Sequence, residues 1–115
     1  MRVLIMAKEG DRSEPARPPT PEAMAEHERF NSEIVKAGIV VGAGRLQPSS
    51  QGKRVSFDGK KRSVIDGPFT ETKELVAGYW LWQVRSMDEA IEWLKRAPYD
   101  GGIFEIREVA QYEGM

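Results

Sequence analysis

The chain contains no cysteine and a single histidine among its 115 residues. Without cysteine there is no disulfide framework, no thiolate zinc or iron–sulfur centre and no thiol nucleophile. One histidine excludes a multi-histidine metal site within one chain, so neither metal nor cofactor is expected. Neither sign of charge is in excess: 17 Lys and Arg stand against 18 Asp and Glu. That balance gives no electrostatic ground for binding nucleic acid or an anionic membrane. Apolar runs are short, and none approaches the roughly 20 residues that span a bilayer. The N-terminus passes from one short apolar run straight into charged residues, unlike a secretory signal, so a cytoplasmic protein is expected. What is present, 40% hydrophobic and 30% charged residues, is the composition of an ordinary globular protein. The length suits one core, so residues 1–115 are expected to form a single domain.

Periodicity divides the chain into alternating elements. Arg2 to Ala7 is apolar on both faces and reads as a buried central strand. Lys8 to Pro19 is polar and rich in proline, a loop. Thr20-Pro21-Glu22 starts a helix: Thr caps, Pro takes the first helical position, and Glu meets the positive end of the dipole. The helix is expected to run to about Ala37 and stop at Gly38. Its inward stripe is Ala23, His27, Phe30, Ile34 and Ala37. Ile39 to Leu46 is a second strand whose Gly42 and Gly44 point to a bulge or a close backbone approach. Asp58-Gly59, flanked by Val55-Ser56-Phe57 and Ser63-Val64-Ile65, is a hairpin signal. Asp66 to Phe69 is a turn leading into a short helical turn at 70–74. Leu75 to Arg85 is the longest strand, apolar on both faces. Ser86-Met87-Asp88-Glu89 opens a second helix as a capping box, and that helix ends before Pro98. Gly102 to Val109 is the last strand.

With the hairpin set aside the order is βαββαβ, which predicts an α+β, ferredoxin-like split βαβ fold. Both helices then cover one face of the sheet. The other face is expected to be bare, with the tryptophans and leucine of the long strand exposed on it. A patch of that size marks an interface, and a sheet-to-sheet homodimer is the economical cover.

His27 is the only side chain whose ordinary pKa lies near neutrality, and it sits on an otherwise apolar stripe. Beside a carboxylate it would serve as a general acid or base. The competing reading is a core histidine held by one hydrogen bond. Gly42-Ala43-Gly44 lacks the further glycine and the helix start of a dinucleotide loop. Tyr79, Trp80 and Trp82 read as core or interface rather than a base-stacking platform, because no basic stripe accompanies them.

The run Asp66 to Val84, DGPFTETKELVAGYWLWQV, resembles the signature of the DGPF subgroup of YCII-related proteins. His27, Phe30 and Glu33-Ile34 resemble the family's helix motif. Gly44 and Leu46-Gln47-Pro48 fit the following strand, and Ser86 to Ala90, Ala97-Pro98 and Gly102 to Val109 fit the C-terminal part. The resemblance implies a ferredoxin-like fold of the dimeric α/β-barrel type, hence a homodimer. It implies less about activity. Related enzymes are muconolactone-type isomerases and dechlorinating or dehydrating enzymes, whereas the DGPF subgroup is associated with extracytoplasmic-function sigma factors. Two readings therefore stand open: a small-molecule enzyme using His-based acid/base chemistry, and a non-catalytic ligand-binding or accessory module tied to sigma-factor regulation.

In YCII proteins a helix His pairs with a late Asp in an Asp-Pro-Tyr motif. Here that stretch reads Ala97-Pro98-Tyr99, so the acid is missing and Asp66 is the remaining partner for His27. Asp at the start of a Gly-Pro turn also bonds its own backbone, a purely structural role. Expected catalytic residues are thus His27 and Asp66, sharing one cleft. Arg45 and Lys73 are expected to rim it and bind a small anionic molecule.

Overall fold

A computed structural model of the chain describes residues 1–8, 20–70 and 75–111. In chain order these form β1 (Arg2–Lys8), α1 (Pro21–Lys36), β2 (Val40–Arg45), a 3-10 turn (Ser49–Gln51), β3 (Lys53–Asp58), β4 (Lys61–Asp66), β5 (Val76–Gln83), α2 (Met87–Lys95) and β6 (Phe104–Glu108). The helices begin where side chains cap them. Thr20 Oγ1 accepts from the Ala23 N–H at 3.1 Å, and Ser86 Oγ accepts from the Glu89 N–H at 3.1 Å. Helix α1 stops as expected, with Gly38 in the left-handed region at φ +74°. No helix among the described residues is long and apolar enough to cross a membrane.

Four strands form an antiparallel sheet in the order β2-β5-β1-β6. With the helices on one face, this is the ferredoxin-like α+β arrangement. The two glycines of β2 do what their positions suggest. The ladder slips by one residue between Val40 and Gly42, and Gly44 lies under the ring of Tyr79, where a Cβ would come within 2.8 Å of the ring. Strands β3 and β4 form a separate two-stranded sheet. Its turn sits one residue later than the sequence suggests: Asp58 pairs with Lys61, so Gly59-Lys60 forms the loop, with Gly59 at φ +59°.

The core joins Val3 and Ile5 of β1, Phe30 and Ile34 of α1, Trp82 of β5, and Ala90 of α2, with Ile39 and Val84. This corrects the expected exposure of the tryptophans. Val3 lies opposite Trp82, and Ile5 opposite Trp80, so both indoles share the helix-covered face. Trp82 is fully buried and Trp80 half-buried. The uncovered face instead carries Leu4 opposite Leu81 and Met6 opposite Tyr79, among Arg2, Gln83, Glu105 and Arg107. Strand alternation forces this, because residues two apart must share a face and the leucine between the tryptophans cannot join them. Ala37, expected on the inward stripe, is exposed, since it is the C-cap beyond the last helical turn.

The Asp66–Phe69 turn fixes the root of the hairpin. The Gly67 N–H donates to the Gly52 carbonyl at 2.9 Å, and the Phe69 N–H donates to Ser49 Oγ at 3.3 Å. Arg54 lies over the Phe69 ring, 3.8 Å from its centroid. A Cβ on Gly67 would stand 1.8 Å from the Ser49 carbonyl oxygen, which is backbone and has nowhere to go. Gly67→Ala is therefore expected to cost about 1–3 kcal/mol of stability. Gly42→Ala, where a Cβ meets nothing within 4 Å, serves as the control at within about 0.5 kcal/mol. Urea unfolding of the two variants checks this; equal midpoints would show that the turn does not need its glycine.

Candidate functional site

The inward face of the sheet is graded along its length. Towards one end β1 contributes Val3 and Ile5, and β5 contributes Trp82 and Trp80. At the other end the same rows continue as Ala7 and Gly78, facing each other across the ladder. Arg45 of β2 pairs with Gly78, and Phe104 of β6 pairs with Ala7, so the loop ends of all four strands meet there. Small side chains leave a hollow at that end. It measures about 460 Å³ and is lined by Ile5, Ala7, Ala43, Gly44, Ala77 and Gly78 below. Trp80, Tyr99 and Phe104 form aromatic walls, Asn31 reaches it from α1, and Arg45 is the one charged side chain of the lining among the described residues; Tyr79 borders the hollow from β5 with its side chain on the opposite sheet face.

The walls are held by ring contacts. Trp80 stacks on Phe104 with centroids 6.3 Å apart and planes 18° off parallel. Tyr99 sits against Phe104 at 4.6 Å and against Trp80 at 6.4 Å. Offset and edge contacts at such distances suit the ring quadrupoles. His27, half-buried, meets Tyr99 edge-on at 4.8 Å between ring centroids. It thus stands one ring behind the cavity wall. Burial pushes the Tyr99 phenol above its ordinary pKa, and the Arg45 guanidinium pulls it partly back.

The sequence-predicted residues take different neighbours. Arg45 lines the hollow. His27 packs on Tyr99. Asp66 ends β4, with its side chain 73% exposed, and accepts from Lys53 Nζ at 2.5 Å. Such an exposed ion pair is worth little in stability. Lys73 lies outside the described residues, as do 71–74 as a whole. Reasoning from sequence missed Tyr99, Phe104 and Asn31. The signal for Tyr99 was the Pro98 that ends α2 and returns the chain across the sheet, placing the next side chain over its loop end.

Residues 1–113 match the YCII-related domain family. An uncharacterised protein of Rhizobium meliloti (strain 1021) is 34% identical over 82 residues, which cover 69% of this chain and 66% of that protein. The chain therefore spans slightly under two thirds of that relative's length. With the match running over nearly all of it, the chain belongs to the YCII-related family.

The Tyr99–Arg45 coupling has a measurable consequence. The folded state favours the neutral phenol, so any contribution Tyr99 makes to stability is present below the ordinary tyrosine pKa of about 10. It is lost as pH rises through the raised folded value. In a phenolate-absorbance titration the phase that vanishes in Tyr99→Phe is expected to lie above the ordinary tyrosine range of about 10. It should move to still higher pH in Arg45→Gln. A late phase that ignores Arg45→Gln would break the assignment.

Proposed function

We propose that this YCII-related protein binds a small, flat anionic molecule in the aromatic hollow at the loop end of its sheet and uses His27 for acid/base chemistry there. The observation that carries the reading is the lining itself: aromatic walls, a floor of small residues and, among the described residues, one cation, Arg45. Aromatic walls favour a planar body, and the guanidinium presents paired donors to a carboxylate or similar group. Most ligand sites share this plan of apolar walls with few polar groups. Arg45 then holds the anionic end and Tyr99 offers its hydroxyl; His27 stands behind the Tyr99 ring and serves as the proton-transfer group when that ring turns aside, since proton transfer needs hydrogen-bond reach or one bridging water. Lys73 is a second anion-binding residue in this reading. The tetrad Asp66-Gly67-Pro68-Phe69 supports membership of the DGPF subgroup, with Asp66 the carboxylate available to pair with His27.

One observation favours a second reading, a non-catalytic ligand-binding or accessory module associated with sigma-factor regulation. Among the described residues Asp66 pairs with Lys53, and the neighbour found for the His27 ring is Tyr99 rather than a carboxylate.

Titration with 1-naphthoate, followed by tryptophan fluorescence and calorimetry, separates the readings. Binding is expected, and Arg45→Gln should weaken it roughly 10- to 100-fold, the range for a hydrogen bond to a charged group. If His27 belongs to the site, binding near neutral pH is accompanied by proton exchange with buffer, and His27→Gln abolishes that exchange. Binding without any proton exchange supports the module. No binding of the naphthoate sinks the acid/base reading and leaves the module only in its accessory form.

A further inference from the structure

The β3–β4 hairpin is unlike a solvated surface loop. Every residue of β3 is exposed, as is every residue of β4 except Ser63. The register places Val55 opposite Val64, and Phe57 opposite Arg62, on one face of the ribbon. On that face Phe57 is 69% exposed, Val64 65% and Val55 53%. The ring contacts on its faces, among the described residues, are Arg62 over Phe57 and Arg54 over Phe69, and a two-stranded ribbon standing alone is marginal in water at best. Among the described residues, its backbone hydrogen bonds to the rest of the chain lie at its root, between Gly67 and Gly52.

The hairpin is also the basic part of the chain. It carries Lys53, Arg54, Lys60, Lys61 and Arg62 against Asp58 and Asp66, in a chain whose net charge is −1. The compensating acid is elsewhere. Helix α1 carries Glu22, Glu26, Glu28 and Glu33 against Arg29 and Lys36, and α2 carries Asp88, Glu89 and Glu92 against Lys95, so each helix keeps a net negative charge. Like charge disfavours packing one hairpin on the same hairpin of another molecule. Opposite charge favours packing it on the acidic remainder.

We infer that the β3–β4 hairpin is an arm that lays its Val55, Phe57 and Val64 face on a second copy of this chain, with its basic residues against that copy's acidic surface, to which α1 and α2 contribute most. The homodimer is thereby assigned a surface that the strand alternation of β5 did not reveal. The inference is independent of what the aromatic hollow binds.

Sedimentation of the full chain tests it. The wild type is expected to run at twice 13.0 kDa at concentrations up to about 100 µM. Phe57→Asp and Val64→Asp alter side chains that the monomer leaves in water, so each chain should still fold, as circular dichroism would show. Each is expected to weaken association by about tenfold or more, the size of an interface anchor. Raising salt should weaken it as well. Because the chain has no cysteine, Val55→Cys takes a single photo-crosslinker, used in a mixture of isotope-labelled and unlabelled copies. Crosslinks joining labelled to unlabelled chains through α1 or α2 are the expected result. The inference fails if the wild type is monomeric throughout, or if its dimer ignores both substitutions. It also fails if crosslinks stay within one copy or join the hairpin to a nucleic acid.

Discussion

One packing constraint organises this protein: the row of inward side chains on its sheet runs from large to small. Val3, Ile5, Trp82 and Trp80 meet Phe30 and Ile34 and leave no room between sheet and helix. The same strands continue as Ala7 and Gly78, and there the strands' own side chains do not fill the layer separation set by the large residues. Protein interiors are close-packed, so a gap of this size persists only where the elements on both sides are pinned elsewhere. The tryptophan end pins them. The hollow is thus a consequence of the core, not a separate feature added to it.

That hollow acquires its chemistry from chain topology. In a βαββαβ sheet the first and third core strands lie in the centre, so the C-terminal end of β1 and the N-terminal end of β5 meet at the same end as Arg45 and Phe104. The segment after α2 crosses that end too and delivers Tyr99 against Phe104 and Trp80. Arg45 then acts on a phenol already deprived of water on part of its surface. Desolvation and the guanidinium oppose one another, and the larger effect is desolvation. The phenol therefore keeps its proton to higher pH than an ordinary tyrosine does, with Arg45 acting against this.

Much of this was legible in the residues. Caps at Thr20 and Ser86, the stop at Gly38 and the glycine bulge in β2 each follow from local stereochemistry, and they appear as expected. The two-layer fold follows from their order. The face assignment of β5 failed, although its period-2 pattern was visible, because both rows of that strand are apolar. Composition alone cannot say which row the helices take. The answer came from volume: two indoles need the depth of a helix layer, while Leu81 and Tyr79 do not. The site was less legible for a different reason. Tyr99 and Phe104 belong to no sequence pattern of their own, and their proximity to Trp80 exists only once the sheet closes.

The Asp66-Gly67-Pro68-Phe69 turn shows how one motif answers two questions. Read as chemistry, its aspartate is a carboxylate in search of a histidine. In the folded chain its neighbours are structural: Lys53 on Asp66, the Ser49 carbonyl against the Cα of Gly67, and Ser49 Oγ and Arg54 on Phe69. Together these tie the end of β4 to the turn at residues 49–52, which follows directly from β2 and Arg45. The tie fixes the hairpin's point of departure at the loop end of the sheet, beside the hollow. A flexible root would let a 14-residue ribbon sample many directions, and the entropy of holding it would be charged to every contact it makes. Ordering the root in the folded monomer settles that cost in advance, the general advantage of preorganisation in binding. The motif therefore matters to any contact the arm makes, whether or not its carboxylate ever meets a proton from His27.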